Sequence, residues 1–323
     1  MEVDNFPFED IIKSQIENKQ FLNKKENPPD DGISLTIINN TVKHSKCLGT
    51  KYQKRKKQII NMFQDVVKKY KLKKSYININ LDKIPKNNCF NFYREKGNHS
   101  QFLLPNPRFI NDNIFLNEKE KKFNNFDEVI NELAILDNPF ENKTNKIYIN
   151  CNTSTLKLKI FKKIAHINKT KDIVKAYMCI GDSHKINNIP KIDPSLNKIK
   201  YFVKKKMAGF NYIYFNEHCN YKYILNEPYY INTDKIRLLL GLNCVPITKT
   251  SKYETLYSYT LQDKINHIEF TSYKELLNIY NELENNNELC LDIIKNNKEY
   301  LEKSLNYDNL LMYIAILINN LFA

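Results

Sequence analysis

The sequence predicts an α/β protein with doubly wound parallel sheet, and three observations carry that expectation. From residue 146 onward, short β-rich runs alternate with stretches of helical spacing, the pattern of strands joined by crossover helices. The chain has 323 residues, 42% of them apolar, which suits two domains or one large one with a sizeable core. A polar, turn-rich stretch at 137–145 (Asp-Asn-Pro-Phe-Glu-Asn-Lys-Thr-Asn) divides it.

In chain order, Phe6 to Leu22 is a short amphipathic stretch, and Pro28-Pro29-Asp30-Asp31-Gly32 is a loop. Ile33 to Ile38 reads as a strand, and Ile59, Ile60, Phe63, Val66 and Val67 recur at helical spacing behind the basic run Lys51 to Lys57. That run is either the solvated start of the helix or a phosphate or nucleic-acid patch. Tyr76 to Leu81 alternates with period two and ends at Asp82. Phe90-Asn91-Phe92 and Phe102-Leu103-Leu104 are further short strands, the second stopped by Pro105 and Pro107. Phe126 to Leu136 is a helix ended by Asn138-Pro139.

Beyond the divide, strands are expected at 146–150, 176–180, 221–225, 244–247 and 267–270. Helices are expected at 155–165, 233–242, 273–283, 288–301 and 307–321.

Composition excludes several classes. Six Gly and 11 Pro exclude collagen-like and glycine-rich chains. Lys+Arg 50 against Asp+Glu 36 gives a net charge of +14, which excludes an acidic disordered chain and favours anionic partners. Arg occurs only at 55, 94, 108 and 237; the Lys, Asn and Ile excess is what an AT-rich genome encodes, as in some large DNA viruses or parasites. A mean hydropathy of −0.57 argues against an integral membrane protein. The most apolar run, Leu310 to Phe322, is broken by Asn319 and Asn320 and falls short of the ~20 apolar residues of a membrane span. Met1 to Glu9 has no apolar signal core, so cytoplasmic action is expected, as in a virus factory or a cytosolic glycosylation system. Seven Cys at 47, 89, 151, 179, 219, 244 and 290 form no CxxC pair and read as buried reduced thiols.

GxGxxG, GxxxxGK[ST] and GxSxG are absent, which removes the usual support for dehydrogenase, P-loop and hydrolase readings. Three weaker features remain. Thr153-Ser154-x-x-Lys157 lies between a strand and a helix, where hydroxyls and free N–H groups favour an anion; an ordinary helix cap with a surface Lys fits equally. Arg237, on the helix that follows the strand and loop at 221–232, is either a bidentate phosphate clamp or a helix-surface Arg. Asp82, at a strand end, is either a general base or a turn residue.

These features fit one family. His218-Cys219-Asn220-Tyr221-Lys222-Tyr223-Ile224-Leu225-Asn226 is similar to "H-C-x-Y-K-Y-L-x-N" of glycosyltransferase family 90, the protein O-glucosyltransferase and capsule-associated group. Lys235 to Val245 resembles its "S-x-R-x-K-x-L-x-x-x-G-S-x-V", Asn266 to Phe270 its "V-H-Y-I-P-V", and Lys146 to Lys157 its "A-x-F-R-G-S-R-T-S-x-x-R". Tyr76 to Asp82 parallels "F-x-I-N-x-R-D". The resemblance runs from about residue 50 onward and is most specific over 218–270. Departures are concentrated at the donor motif: Ile149-Asn150 stands where the family has Arg-Gly, Asn152 where it has Arg, Lys157 where it has Arg, and Glu227-Pro228-Tyr229-Tyr230 replaces a Gly-containing loop.

The resemblance implies a GT-B architecture, two Rossmann-like domains facing across a cleft: an acceptor domain at 1–140, a nucleotide-sugar domain at 141–304, and a last helix at 305–323 that packs back on the first. It implies an inverting hexosyl- or pentosyltransferase using a nucleotide sugar, a UDP-sugar first, with a protein or glycan hydroxyl as acceptor. Asp82 would be the base, and Thr153, Ser154, Lys157 and Arg237 would hold the donor diphosphate. Fixed cations would take the place of a metal ion, so no cofactor is expected. Two rival readings are a basic nucleic-acid-binding accessory protein, whose 21 Tyr and 18 Phe could stack bases, and a catalytically inactive protein of the same fold.

Overall fold

Asn39 and Asn40 both adopt positive φ, 52° and 57°, the pair of left-handed residues that a tight two-residue hairpin needs. They join β1 (Gly32–Ile38) to β2 (Thr41–His44) as antiparallel neighbours. This hairpin opens the first of two main sheets in the computed structural model, which describes residues 6–22, 32–44, 53–81, 85–106, 113–116, 119–152, 160, 163–164, 166–168, 171–180, 200–203, 215–227 and 235–322.

The first sheet has the order β2-β1-β3-β4-β6, with β3 (Ser75–Asn80), β4 (Cys89–Asn91) and β6 (Gln101–Leu103). β1 pairs antiparallel with β3, whereas β3, β4 and β6 are mutually parallel. Ile33, Leu35 and Ile37 alternate on one face and meet Ile77, Ile79, Phe90 and Phe102 in a buried core. Three helices complete that core: α1 (Glu9–Glu17), α2 (Gln53–Lys69) and the last helix of the chain. Three short strands, β5 (Arg94–Glu95) and the hairpin of β7 (Asn113–Leu116) with β8 (Lys119–Lys122), stand outside this sheet.

Asn125 caps α3 (Phe126–Leu136): its side chain accepts from the Glu128 backbone N–H, while the Glu128 carboxylate accepts from the backbone N–H of Asn124. The second sheet then runs β11-β10-β9-β12-β13-β15, every pairing parallel. Its strands are β9 (Thr144–Asn152), β10 (Val174–Ile180), β11 (Lys200–Val203), β12 (Tyr221–Asn226), β13 (Val245–Lys249) and β15 (Ile268–Phe270). Both faces are covered, as a parallel sheet requires. Ile147, Ile149, Tyr223, Leu225, Val245 and Ile247 pack against α6 (Leu276–Asn285) and α7 (Asn287–Lys303). The alternate residues Tyr148 and Ile224 pack on the other side with Val129 and Leu133 of α3 and with Leu239 of α4 (Lys235–Leu239). Helix α4 ends at Leu239, ahead of the expected Leu242; a Cβ at Gly241 would come within 2.9 Å of the Ile130 side chain, so the chain turns closely against α3 there.

The remaining elements tie the halves together. β14 (Tyr253–Glu254) pairs antiparallel with β5, and α5 (Leu256–Tyr259) follows behind a Thr255 capping box. Helix α8 (Tyr307–Leu321) is apolar on nearly all sides and is buried in the first core beside Phe8, Ile33 and Phe63. No helix among the described residues is long and apolar enough to cross a membrane.

Candidate functional site at the carboxyl edges

Strand order alone marks a position. The chain builds the second sheet outward from β9 through β10 to β11, then returns to the other side of β9 and continues through β12, β13 and β15. The order therefore reverses between β9 and β12, and in open parallel sheets ligands lie outside the carboxyl ends at such a reversal. Thr153 and Ser154 follow β9 directly in the sequence, and Glu227 follows β12.

Residues that follow β4 and β6 in the sequence make contacts with the second half of the chain. Arg94 lies three residues beyond the end of β4, and Glu254 lies five beyond the end of β13. The Arg94 guanidinium donates to Glu254 Oε1 from Nε at 2.7 Å and from Nη2 at 2.6 Å. Tyr257 donates from its hydroxyl to the Asn106 carbonyl at 3.3 Å, three residues beyond β6. Arg55 of α2 donates to the Leu81 carbonyl at 2.5 Å, just after β3, with its guanidinium carbon 5.9 Å from the Phe92 ring centroid.

On the second sheet, the edge gathers cations. Lys235 donates to the Leu225 carbonyl at 3.4 Å at the end of β12. Lys249 lies 3.9 Å from the Glu227 carboxylate and 5.7 Å from the Tyr273 ring centroid, which Lys163 approaches at 5.4 Å. Tyr273 donates its hydroxyl to Glu227 Oε2. Among the described residues, these three ammonium groups beside the Glu227 carboxylate favour anions at this edge.

Of the five residues the sequence singled out, Asp82, Thr153, Ser154 and Lys157 lie outside the described residues. Arg237 is on α4 and only 1% exposed, its guanidinium carbon 4.7 Å from the Phe126 ring centroid. The helix-surface alternative therefore does not hold: the side chain is packed between α4 and the start of α3. Glu227, Lys249 and Tyr273 were not singled out as site residues. Each lies within three residues of the end of a strand the sequence does reveal, so the carboxyl-end rule was the available signal.

Two other features lie apart from this chemistry. A surface depression of about 660 Å³ is lined by Asn18, Phe21 and residues 95–100, on the amino side of β6. Cys89, Cys219, Cys244 and Cys290 are buried, free thiols. Burial pushes the thiols of Cys219 and Cys244 up to about 12 and those of Cys89 and Cys290 to about 11, so they remain neutral and unreactive. No group of His, Cys, Asp and Glu among the described residues could hold a metal ion.

No protein-family profile matches the chain, and no curated protein matches it. Several solved structures show partial similarity. The C-terminal domain of a glycosyl transferase group 1 family protein (LpcC) from Francisella tularensis aligns at 10% identity and TM-score 0.37, over 50% of this chain and 86% of that one. A TarM variant from S. aureus, in complex with fondaparinux, alpha-GlcNAc-glycerol and UDP, aligns at 16% identity and TM-score 0.40, over 57% and 38%. HepE from Anabaena in complex with UDP-glucose aligns at 11% identity and TM-score 0.38, over 58% and 51%. The chain thus spans well under two thirds of TarM and about half of HepE.

Proposed function

We propose that the protein is a glycosyltransferase that moves a sugar from a nucleotide-sugar donor, a UDP-sugar, to a hydroxyl of a protein or glycan acceptor with inversion. The observation that carries the reading is the reversal of strand order between β9 and β12. The segments most similar to glycosyltransferase family 90, 218–226 and 235–245, form β12 with its approach and the stretch from α4 to β13, and so border that reversal.

In this reading the acceptor oxygen attacks the anomeric carbon as the bond to the β-phosphate oxygen breaks. The departing nucleoside diphosphate gains negative charge. Arg237 and Lys157, with the hydroxyls of Thr153 and Ser154, are assigned to that diphosphate; Lys235, Lys249 and Lys163 add positive potential at the same edge. Preorganised cations and dipoles aimed at developing charge supply most of the rate enhancement such a site gives. Asp82, next in sequence to the Leu81 that Arg55 engages, is assigned as the base that takes the acceptor proton.

The test is Asp82→Asn, which keeps size but cannot accept a proton. Transfer is expected to fall by roughly 10²–10⁴-fold with donor binding and melting temperature nearly unchanged. Full activity in this variant would remove Asp82 from the reaction. Donor binding without transfer by the wild type would favour the inactive-fold reading.

A further inference from the structure

The first core does not stop at the first sheet. Ile236 and Leu240, and Leu256 and Tyr257, come from the second half of the chain and are buried with Phe90, Phe92, Phe102 and Leu104 from the first. At the margin of this shared core the two halves are joined by backbone pairing. β5 and β14 align Glu95 with Tyr253 and Arg94 with Glu254, and the Lys96 N–H donates to the Lys252 carbonyl at 2.9 Å. The Arg94–Glu254 side chains are 5% and 11% exposed, and the guanidinium carbon lies 5.5 Å from the Tyr259 ring centroid.

A buried ion pair of this kind contributes little net stability, because desolvation of two charges offsets their attraction; a register or positioning role is its best-attested use. Here it spans the two halves of the chain, one residue on β5 and the other on β14. We infer that Arg94 is a positioning residue: with Glu254 it struts the two halves of the fold at a fixed separation, so that the site between them is preformed and does not close on its ligand. The catalytic consequence rests on the glycosyltransferase reading; the mechanical claim does not. Breaking the strut while keeping the core lets the two halves drift, which misplaces acceptor relative to donor without removing either set of contacts.

Two measurements on the full chain test this separately. In the ligand-free protein, hydrogen exchange of the Lys96 amide is expected to be slow, and to accelerate about tenfold or more in Arg94→Ala while amides of the second sheet keep their protection. In small-angle scattering, the radius of gyration of the wild type is expected to stay the same when UDP is added, and that of Arg94→Ala to be larger. If Arg94→Ala does not fold, the exchanged pair Arg94→Glu with Glu254→Arg is read instead, with protection expected to return relative to Arg94→Glu alone. In transfer assays Arg94→Lys is expected to lower kcat with donor KM little changed. A wild-type radius that shrinks on UDP binding, or unchanged Lys96 exchange in Arg94→Ala, overturns the strut. Failure of UDP to bind at all overturns the functional reading and leaves the exchange result to decide the mechanical one.

Discussion

Gln15 and Tyr313 are 298 residues apart in the chain and share a buried hydrogen bond of 2.7 Å from the amide to the phenol oxygen. The Tyr313 hydroxyl in turn donates to the Leu103 carbonyl at 3.0 Å, and the Leu103 N–H donates to the Gln15 side-chain oxygen at 2.6 Å. One closed network therefore joins α1, β6 and α8, and the first half of the fold is completed by the last helix of the chain.

Tyr313→Phe keeps the ring and leaves the Gln15 amide and the Leu103 carbonyl without this partner in a site from which water is excluded. The expected loss of unfolding free energy is about 1–3 kcal/mol. Urea denaturation monitored by circular dichroism reads it. A variant as stable as the wild type would show that the network contributes nothing.

Much of this architecture is legible in the sequence. The helix at 126–136 is found at its observed bounds, with the terminating Asn138-Pro139 marking its end. Five of the six strands of the second sheet are found, from short apolar runs such as Ile147-Tyr148-Ile149 and Tyr223-Ile224-Leu225, whereas β11 is not. Other elements are hidden for physical reasons. β5 and β14 are two residues each, too short for any periodicity, and they exist because they pair with one another. β8 is Lys-Glu-Lys-Lys, with no apolar alternation to reveal it. The β1–β2 hairpin carries a readable signal, Asn39-Asn40 between β-rich runs, that apolar patterning passes over. Strand adjacency is not local information: β12 lies beside β9 although some seventy residues of chain separate them, so the reversal that marks the site emerges only in three dimensions. Arg237 stood out by type in a lysine-rich chain, but its burial against Phe126 depends on how α3 and α4 pack.

Arg237→Lys tests the assigned diphosphate contact. Lysine retains the charge but loses the planar fork and the stacked face, so the Kd for UDP is expected to rise about ten- to a hundredfold. Thermal denaturation without ligand separates this from a loss of packing. Unchanged affinity would take Arg237 out of the site.

His267, immediately before β15, supplies a pH dependence. Burial holds its imidazole below the usual 6.5; Lys96 acts in the same direction, while Glu269 and Asp263 oppose it. A depressed folded-state value means that the unfolded chain binds the proton first as pH falls. The contribution of His267 to stability is therefore fully present above about pH 6.5 and is lost progressively below it. Chemical denaturation at pH 7.5 and 5.5 should show a smaller acid-induced loss in His267→Gln than in the wild type. Equal losses would mean that His267 titrates alike in both states.

Calorimetric titration of the full chain with UDP at physiological ionic strength bears most directly on the central claim, that the reversal between β9 and β12 is a nucleotide-sugar site. The account predicts saturable binding at one site per chain, weakened by Arg237→Lys, and only weak binding of a generic oligonucleotide in the same buffer. No heat with UDP or with any nucleotide sugar, together with sub-micromolar oligonucleotide binding that falls steeply with added salt, would contradict it and make the basic surface a nucleic-acid interface.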